Sequence, residues 1–248
     1  MARTRLEPGR HPAGTSLPEQ APVVPAPRLP TWAAAHDLAG GVRGIVQLCG
    51  LIDVHRDRLP ADAVLQLDAI GQRARRLQRF IRDLQELERP RNGGSTATPP
   101  VADPASVVRA VMAELEPELA ALRPRLHLGW LPELAMAPDD LSRLLTNLIV
   151  NALQHRAPVK PRIEIGATWR KGMVELTVAD NGPGIPAEER ARLFEPFVRL
   201  PSARRQPGSG LGLAICRAIV EGYGGEIWVE PAPAGGSRFC CTLPPCEP

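Results

Sequence analysis

Asn147 and Asn151 stand four residues apart in a stretch with helical spacing, which puts both side-chain amides on one face, with Gln154 and His155 close to the same stripe. An amide oxygen is a neutral ligand for a hard cation such as Mg2+, an ion that keeps several waters and commonly enters with phosphate oxygens. A second group, Asp180, Asn181, Gly182, Pro183, Gly184 and Ile185, directly follows a strand-like run. A carboxylate at a strand end can accept a hydrogen bond from an adenine amino group, and the glycines let backbone approach a flat ring. The third group is Gly208, Ser209, Gly210, Leu211, Gly212 and Leu213, at the start of an apolar helix. Backbone N–H groups and the positive dipole end at such a start suit phosphate oxygens. Between the second and third groups, Phe194, Glu195, Pro196 and Phe197 lead into a basic loop with Arg199, Ser202, Arg204, Arg205 and Gln206, the composition expected of a lid over a phosphate chain. Each group alone has an ordinary alternative: helix surface polarity, an Asn-Gly turn, a glycine turn.

The elements that must position these residues are legible from periodicity. Ala35, Leu38, Val42, Ile45, Cys49 and Ile52 alternate steps of three and four, as do Leu67, Ile70, Ala74, Leu77, Ile81 and Leu84, with Arg73, Arg75, Arg76, Arg79 and Arg82 between them. Two helices turning near Arg58 to Pro60, each with an apolar seam, predict a hairpin that pairs with a second copy as a four-helix bundle. Further helices are expected over Ala105 to Leu122, interrupted near Pro117, over Asp139 to Gln154 with Asp139 or Asp140 as cap, and over Leu211 to Glu221. Alternating runs at Arg162 to Thr168 and Met173 to Ala179 flank Lys171 and Gly172 as a β-hairpin, and a later strand pair is expected at Glu226 to Glu230 and Ser237 to Leu243. The fold class is α+β: a helical hairpin, then an α/β sandwich with a mixed sheet and helices on one face. The division follows as a proline-rich disordered tail at 1–30, the hairpin at 31–89, a linker at 90–100 and, at 101–248, the α/β domain that carries these chemical groups.

Bulk composition narrows the function. A net charge of +3 against 30 basic and 27 acidic residues gives no polyanion field, and the tryptophans do not interleave with basic residues as a stacking series, so nucleic acid is not expected as a direct partner. Five cysteines, without metal-ligand spacing or a secretory signal, predict a reducing cytoplasm. No apolar run reaches the roughly 18 residues that span a bilayer, so membrane insertion is not expected and a separate sensor protein is a possible source of input.

In this order and spacing the four chemical groups resemble the N, G1, F and G2 boxes of the histidine kinase ATP-binding domain, within the superfamily shared with gyrase, Hsp90 and MutL. The likeness spans residues 101–243. It implies ATP and Mg2+ as ligands, with Asn147 and Asn151 toward Mg2+ and the phosphates, Asn151 as the metal ligand, and Asp180 toward adenine. Gly182 and Gly184 would floor the pocket beside Ile185, and Gly208, Ser209, Gly210, Leu211 and Gly212 would form the lid hinge and phosphate loop. Gln154, His155, Phe197, Arg204 and Arg205 complete the implied nucleotide surroundings. Hydrolases and anti-sigma serine kinases of the superfamily carry a glutamate general base four residues before the metal-binding asparagine; this chain has Asn147 there, the histidine kinase pattern. Where the family usually has lysine, Gln154 stands, and Arg156, Arg204 or Arg205 could supply the missing charge.

Ala35, His36, Asp37 and Leu38 resemble the start of the family's phosphoacceptor motif. Neutral imidazole is a good nucleophile near neutral pH, and an adjacent carboxylate can hold the tautomer that attack requires. His36 and Asp37 are therefore the expected catalytic pair, with His55 a rival near the turn. The chain departs from the motif at Ala39, Gly40 and Gly41, where a basic residue, threonine or asparagine, and proline are usual, so phosphatase activity is not implied. The resemblance implies a dimeric histidine kinase that phosphorylates His36 and passes the phosphoryl group to the receiver domain of a response regulator. An ATP-binding adaptor without kinase activity and an anti-sigma-type serine kinase are the alternatives.

Overall fold

The computed structural model describes residues 32–89, 100–157, 159–200 and 209–246, except for the side chains at 32–37, 88, 117, 118 and 121. The expected tail 1–30, most of the expected linker, and Ser202, Arg204, Arg205, Gln206 and Gly208 lie outside the described residues.

Helices α1 (Trp32–Asp53) and α2 (Ala61–Glu88) form the hairpin. Arg56 closes its turn, reaching Asp53 at 2.7 Å and Asp68 through both guanidinium nitrogens at 2.9 and 2.7 Å. The predicted seams divide into two columns. Val42 and Cys49 on α1 and Leu67, Ala74 and Ile81 on α2 are buried, joined by Ala39, whereas Leu38, Ile45 and Ile52 on α1 and Ile70 and Leu77 on α2 are exposed. A single pair of helices has one contact line, so a heptad's second apolar column stays open until another surface covers it.

The expected helix at 105–122 is two helices, α3 (Pro104–Glu114) and α4 (Glu116–Leu122). Pro117 has no N–H to donate, a lack that costs nothing in the first turn of a helix, and that is where it lies in α4. Asp103 caps α3, its two oxygens accepting the N–H groups of Ala105 and Ser106. Then follow β1 (Arg125–Leu128), α5 (Pro138–Gln154), β2 (Arg162–Arg170), β3 (Met173–Asp180), the short α6 (Ala187–Arg190), α7 (Gly212–Gly222), β4 (Ile227–Pro231) and β5 (Ser237–Leu243). The cap expected at Asp139 or Asp140 is displaced: α5 starts after Ala137, and both acids lie in its first turn. The cap comes from afar, since the Tyr223 hydroxyl accepts the Ala137 N–H at 3.0 Å and donates to Asp140 at 2.8 Å.

The five strands form one mixed sheet in the order β1-β2-β3-β5-β4, with β1 parallel to β2 and the other pairs antiparallel. Alternate residues Ile163, Ile165, Val174, Leu176, Val178, Phe239, Cys241 and Leu243 are buried. Against them lie the apolar stripes of α5 (Leu141, Leu144, Leu145, Leu148, Ile149) and α7 (Ile215, Cys216, Ile219, Val220). Each fully buried aliphatic side chain contributes about 1.5–3 kcal/mol, which fixes the rotation of α5 and so the direction of its polar stripe. Among the described residues, no helix is long and apolar enough to cross a membrane. None of the five cysteines is in a disulfide.

Candidate nucleotide site

Strand β3 ends on Asp180, half-buried beside the turn between β4 and β5. Its Oδ1 accepts the N–H groups of Gly182 at 2.7 Å and Ser237 at 3.2 Å. Burial pushes the Asp180 carboxyl above the usual carboxylate range, partly opposed by those two amides and by His155. Both bonds are made by Oδ1, so they hold the carboxylate in place while Oδ2 takes part in neither. Gly182 packs so closely that a Cβ there would sit 2.7 Å from the His155 carbonyl oxygen. Gly184, with φ of 78°, faces the Gly236 carbonyl, and the Ile185 carbonyl accepts Arg190 Nε at 2.9 Å. Asn181, by contrast, is structural: its Oδ1 accepts the Arg162 N–H and its amide donates to the Lys160 carbonyl, tying the start of β2 to the end of β3.

Across from this wall, α5 presents Asn147, Asn151 and Gln154 on partly buried positions, and His155 follows at its C-terminus. The Asn147 Nδ2 is buried without a hydrogen-bond partner, and its Oδ1 lies 3.3 Å from where a Cβ of Gly212 would be. Burial lowers the His155 imidazole below its ordinary range; Asp180 opposes that shift and Arg199 adds to it. Arg156, one candidate to replace the lysine missing at Gln154, donates to the Leu153 carbonyl at 2.9 Å and closes the end of α5.

Ser209, Gly210 and Leu211 lead into α7. The Leu211 N–H donates to Ser209 Oγ at 3.2 Å, and the Leu211 side chain is fully buried. Gly210 has φ of 74°, and its carbonyl accepts the Phe197 N–H at 3.0 Å; a Cβ there would lie 3.1 Å from Phe197 backbone, so both conformation and contact require glycine. Phe197 itself holds φ of 65°, uncommon for a bulky residue, and its half-exposed ring faces Phe80 of α2 at 6.3 Å. Phe194 turns inward, edge-on to Phe239 at 6.4 Å.

The structure thus brings together Asn147, Asn151, Gln154, His155, Asp180, Gly182, Gly184, Ile185, Phe197, Ser209, Gly210, Leu211 and Gly212 around the ends of α5, α7 and β3. Arg204, Arg205 and Gly208 lie outside the described residues, and His36 and Asp37 are placed only as backbone in the first turns of α1. Sequence reasoning missed Gly236 and Ser237. Gly236, with φ of 94°, packs on the backbone of Asp180 and Gly182, and the Gly235-Gly236 dipeptide between two expected strands signalled a turn but not what it would touch. A nucleotide fits the residues present: the Asp180 carboxylate at the end of β3 is an acceptor, and the buried Asn147 amide is a donor without a hydrogen-bond partner.

Comparison with known proteins agrees with this geometry. Residues 136–247 match the family described as histidine kinase-, DNA gyrase B-, and HSP90-like ATPase. The chain is 31% identical over 218 residues to the alginate biosynthesis sensor protein KinB of Pseudomonas aeruginosa, covering 85% of this chain and 36% of that one. It is 36% identical over 144 residues to the adaptive-response sensory kinase SasA of Synechococcus sp. (strain JA-3-3Ab), covering 56% of this chain and 38% of that one. The crystal structure of full-length ShkA in complex with AMPPNP shares the fold over 87% of this chain and 45% of that one, at a TM-score of 0.69 and 23% identity. This chain therefore spans little more than a third of the curated relatives' lengths. Residues 136–247 form a domain of the histidine kinase-, DNA gyrase B- and HSP90-like ATPase family, and with the hairpin before them they make up a histidine kinase catalytic core.

Proposed function

We propose that this chain is an ATP-dependent protein histidine kinase that phosphorylates His36 and passes the phosphoryl group to an aspartate on the receiver domain of a separate response regulator. In this reading residues 31–89 are the dimerising and phosphoacceptor unit and 101–248 the catalytic domain. The observation that carries it is Asn147, whose buried, unpaired amide faces the glycine start of α7 at the place where a hydrolase would hold a glutamate base. An amide can donate to a phosphate oxygen but cannot take a proton from water, which favours transfer to a protein nucleophile over hydrolysis.

The Asp180 Oδ2 accepts the adenine amino group, and Gly182 and Gly184 shape the floor beneath the ring. Asn147 donates to the phosphates together with the amides at the start of α7, while Gln154 and His155 border the chain without adding positive charge. The Asn151 amide oxygen would hold Mg2+ alongside the nucleotide, and the ion would supply positive charge to offset that of the phosphates. The lone pair of one His36 nitrogen attacks the γ-phosphorus, a P–N bond forms, and the bond to the bridging oxygen breaks with its electron pair leaving on ADP. The other ring nitrogen keeps its proton, held by Asp37, and catalysis consists of alignment and electrostatics.

The exposed second column, Leu38, Ile45 and Ile52 with Ile70 and Leu77, supports a dimer in which two hairpins share a four-helix core. None of the five cysteines is in a disulfide, which fits a reducing cytoplasmic setting, and input would come from a separate sensor partner. The test is the bond itself. Label from γ-labelled ATP must be acid-labile and base-stable, and it must disappear in His36→Gln.

A further inference from the structure

We infer that Asp83 is a positioning residue whose carboxylate docks the 209–212 loop of the catalytic domain on the hairpin, level with His36. The inference rests on the reading of His36 as phosphoacceptor. Asp83 lies near the end of α2, and its two oxygens point into the catalytic domain. Oδ2 accepts the Ser209 hydroxyl at 3.0 Å, and Oδ1 accepts Arg143 Nη2 at 3.1 Å. Ser209 Oγ in turn accepts the Leu211 N–H, so the carboxylate reaches the backbone immediately before α7. Arg143 lies one turn before Asn147 on α5, and its Nε is buried without a partner. One carboxylate therefore bridges both helices whose ends form the nucleotide site.

Apolar contacts flank this bridge: Phe80 faces Phe197 at 6.3 Å, and Leu84 is buried within the core of the catalytic domain. The hairpin's register sets the level of the contact. Ala39 and Ile81 belong to one buried cluster between antiparallel helices, so the first turns of α1, with His36, lie beside the last turns of α2, with Phe80 and Asp83. The docked loop is thus held at the height of the acceptor rather than at the far end of the bundle. The contact is also releasable: burial pushes the Asp83 carboxyl above the usual carboxylate range despite Ser209 and Arg143, so its desolvation opposes the docked state. Release is required in any case, because a receiver domain must reach the same histidine.

Full-length Asp83→Ala and Asp83→Glu test the assignment by three readouts: the labelling rate against ATP concentration, Mg-ADP affinity, and amide hydrogen exchange across 209–213. Asp83→Ala should lower the saturating labelling rate at least tenfold, leave the KM for ATP and Mg-ADP affinity within twofold, and speed exchange at 209–213. Asp83→Glu should recover part of the rate. An unchanged or faster rate in Asp83→Ala would overturn the proposal, as would a loss confined to Mg-ADP affinity, which would make Asp83 a pocket residue. A wild-type chain that binds Mg-ADP but forms no label speaks against the His36 reading alone, and exchange then decides the docking: unchanged protection in Asp83→Ala overturns it.

Discussion

Gly236 presses on the carbonyl oxygen of Asp180 so closely that no side chain fits between the β4–β5 turn and the end of β3. Gly235, its neighbour, has a similar φ of 86° but open space around it. The pair separates backbone strain from site geometry. Gly235→Ala should cost on the order of 1 kcal/mol of stability and leave nucleotide affinity within twofold. Gly236→Ala must also displace Asp180, so it should destabilise further and weaken Mg-ATP binding at least tenfold. Thermal melts and titration with a fluorescent ATP analogue check both.

Asp180 carries a conflict between stability and binding. Its folded carboxyl holds a proton more tightly than an unfolded one, because burial raises it above the usual range. The folded state therefore gains from protonation at low pH, and that gain is lost as pH rises through the raised folded value. Asp180→Asn removes the buried charge while its Oδ1 can still accept from Gly182 and Ser237. At neutral pH this variant should melt higher than wild type yet bind ATP at least tenfold more weakly, and its stability should fall less as pH rises.

His155 shifts the other way. Its imidazole is held below the ordinary range, chiefly by burial, so the folded state favours the neutral ring. That contribution is complete above the unfolded value of about 6.5 and disappears as pH falls through the lower folded value. His155→Gln should flatten the stability profile in this acid window. Denaturant melts at stepped pH measure it, and an unaltered slope contradicts the assignment.

The open apolar column of the hairpin predicts a self-association that one charge can break. Ile45 is 43% exposed in the single hairpin, so Ile45→Asp leaves the chain's own core intact. Less than half of each Ile45 side chain remains to be covered, so two copies contribute about 1–3 kcal/mol to a dimer, and the variant should dissociate at least tenfold more readily. Sedimentation velocity distinguishes the two masses at micromolar concentration.

Much of this arrangement was legible in sequence because its signals are local. The alternation Ile163, Ile165 against Val174, Leu176, Val178 defined a hairpin, and the leucine stripe of α5 set the direction of Asn147 and Asn151. What escaped depends on distant pairing. β5 inserts between β3 and β4, and β1 joins as a parallel edge, neither of which follows from strand periodicity. α5 starts at Pro138, ahead of the expected cap, and the N–H of the residue before it is satisfied by Tyr223, 86 residues from Ala137 in sequence. Asp83 reads as one more polar position on an arginine-rich helix until Ser209, 126 residues on, is folded against it. The sequence showed one apolar seam on each helix, but not that a lone hairpin would bury Val42, Cys49, Leu67, Ala74 and Ile81 and leave Leu38, Ile45, Ile52, Ile70 and Leu77 exposed.

The central claim is tested most directly by incubating the purified chain with Mg2+ and γ-labelled ATP and following protein-bound label in wild type, His36→Gln and Asn151→Ala. Acid-labile, base-stable label in the wild type, absent from His36→Gln and reduced at least a hundredfold in Asn151→Ala, is the predicted result. Label that persists in His36→Gln, or an acid-stable bond, would contradict phosphorylation of His36.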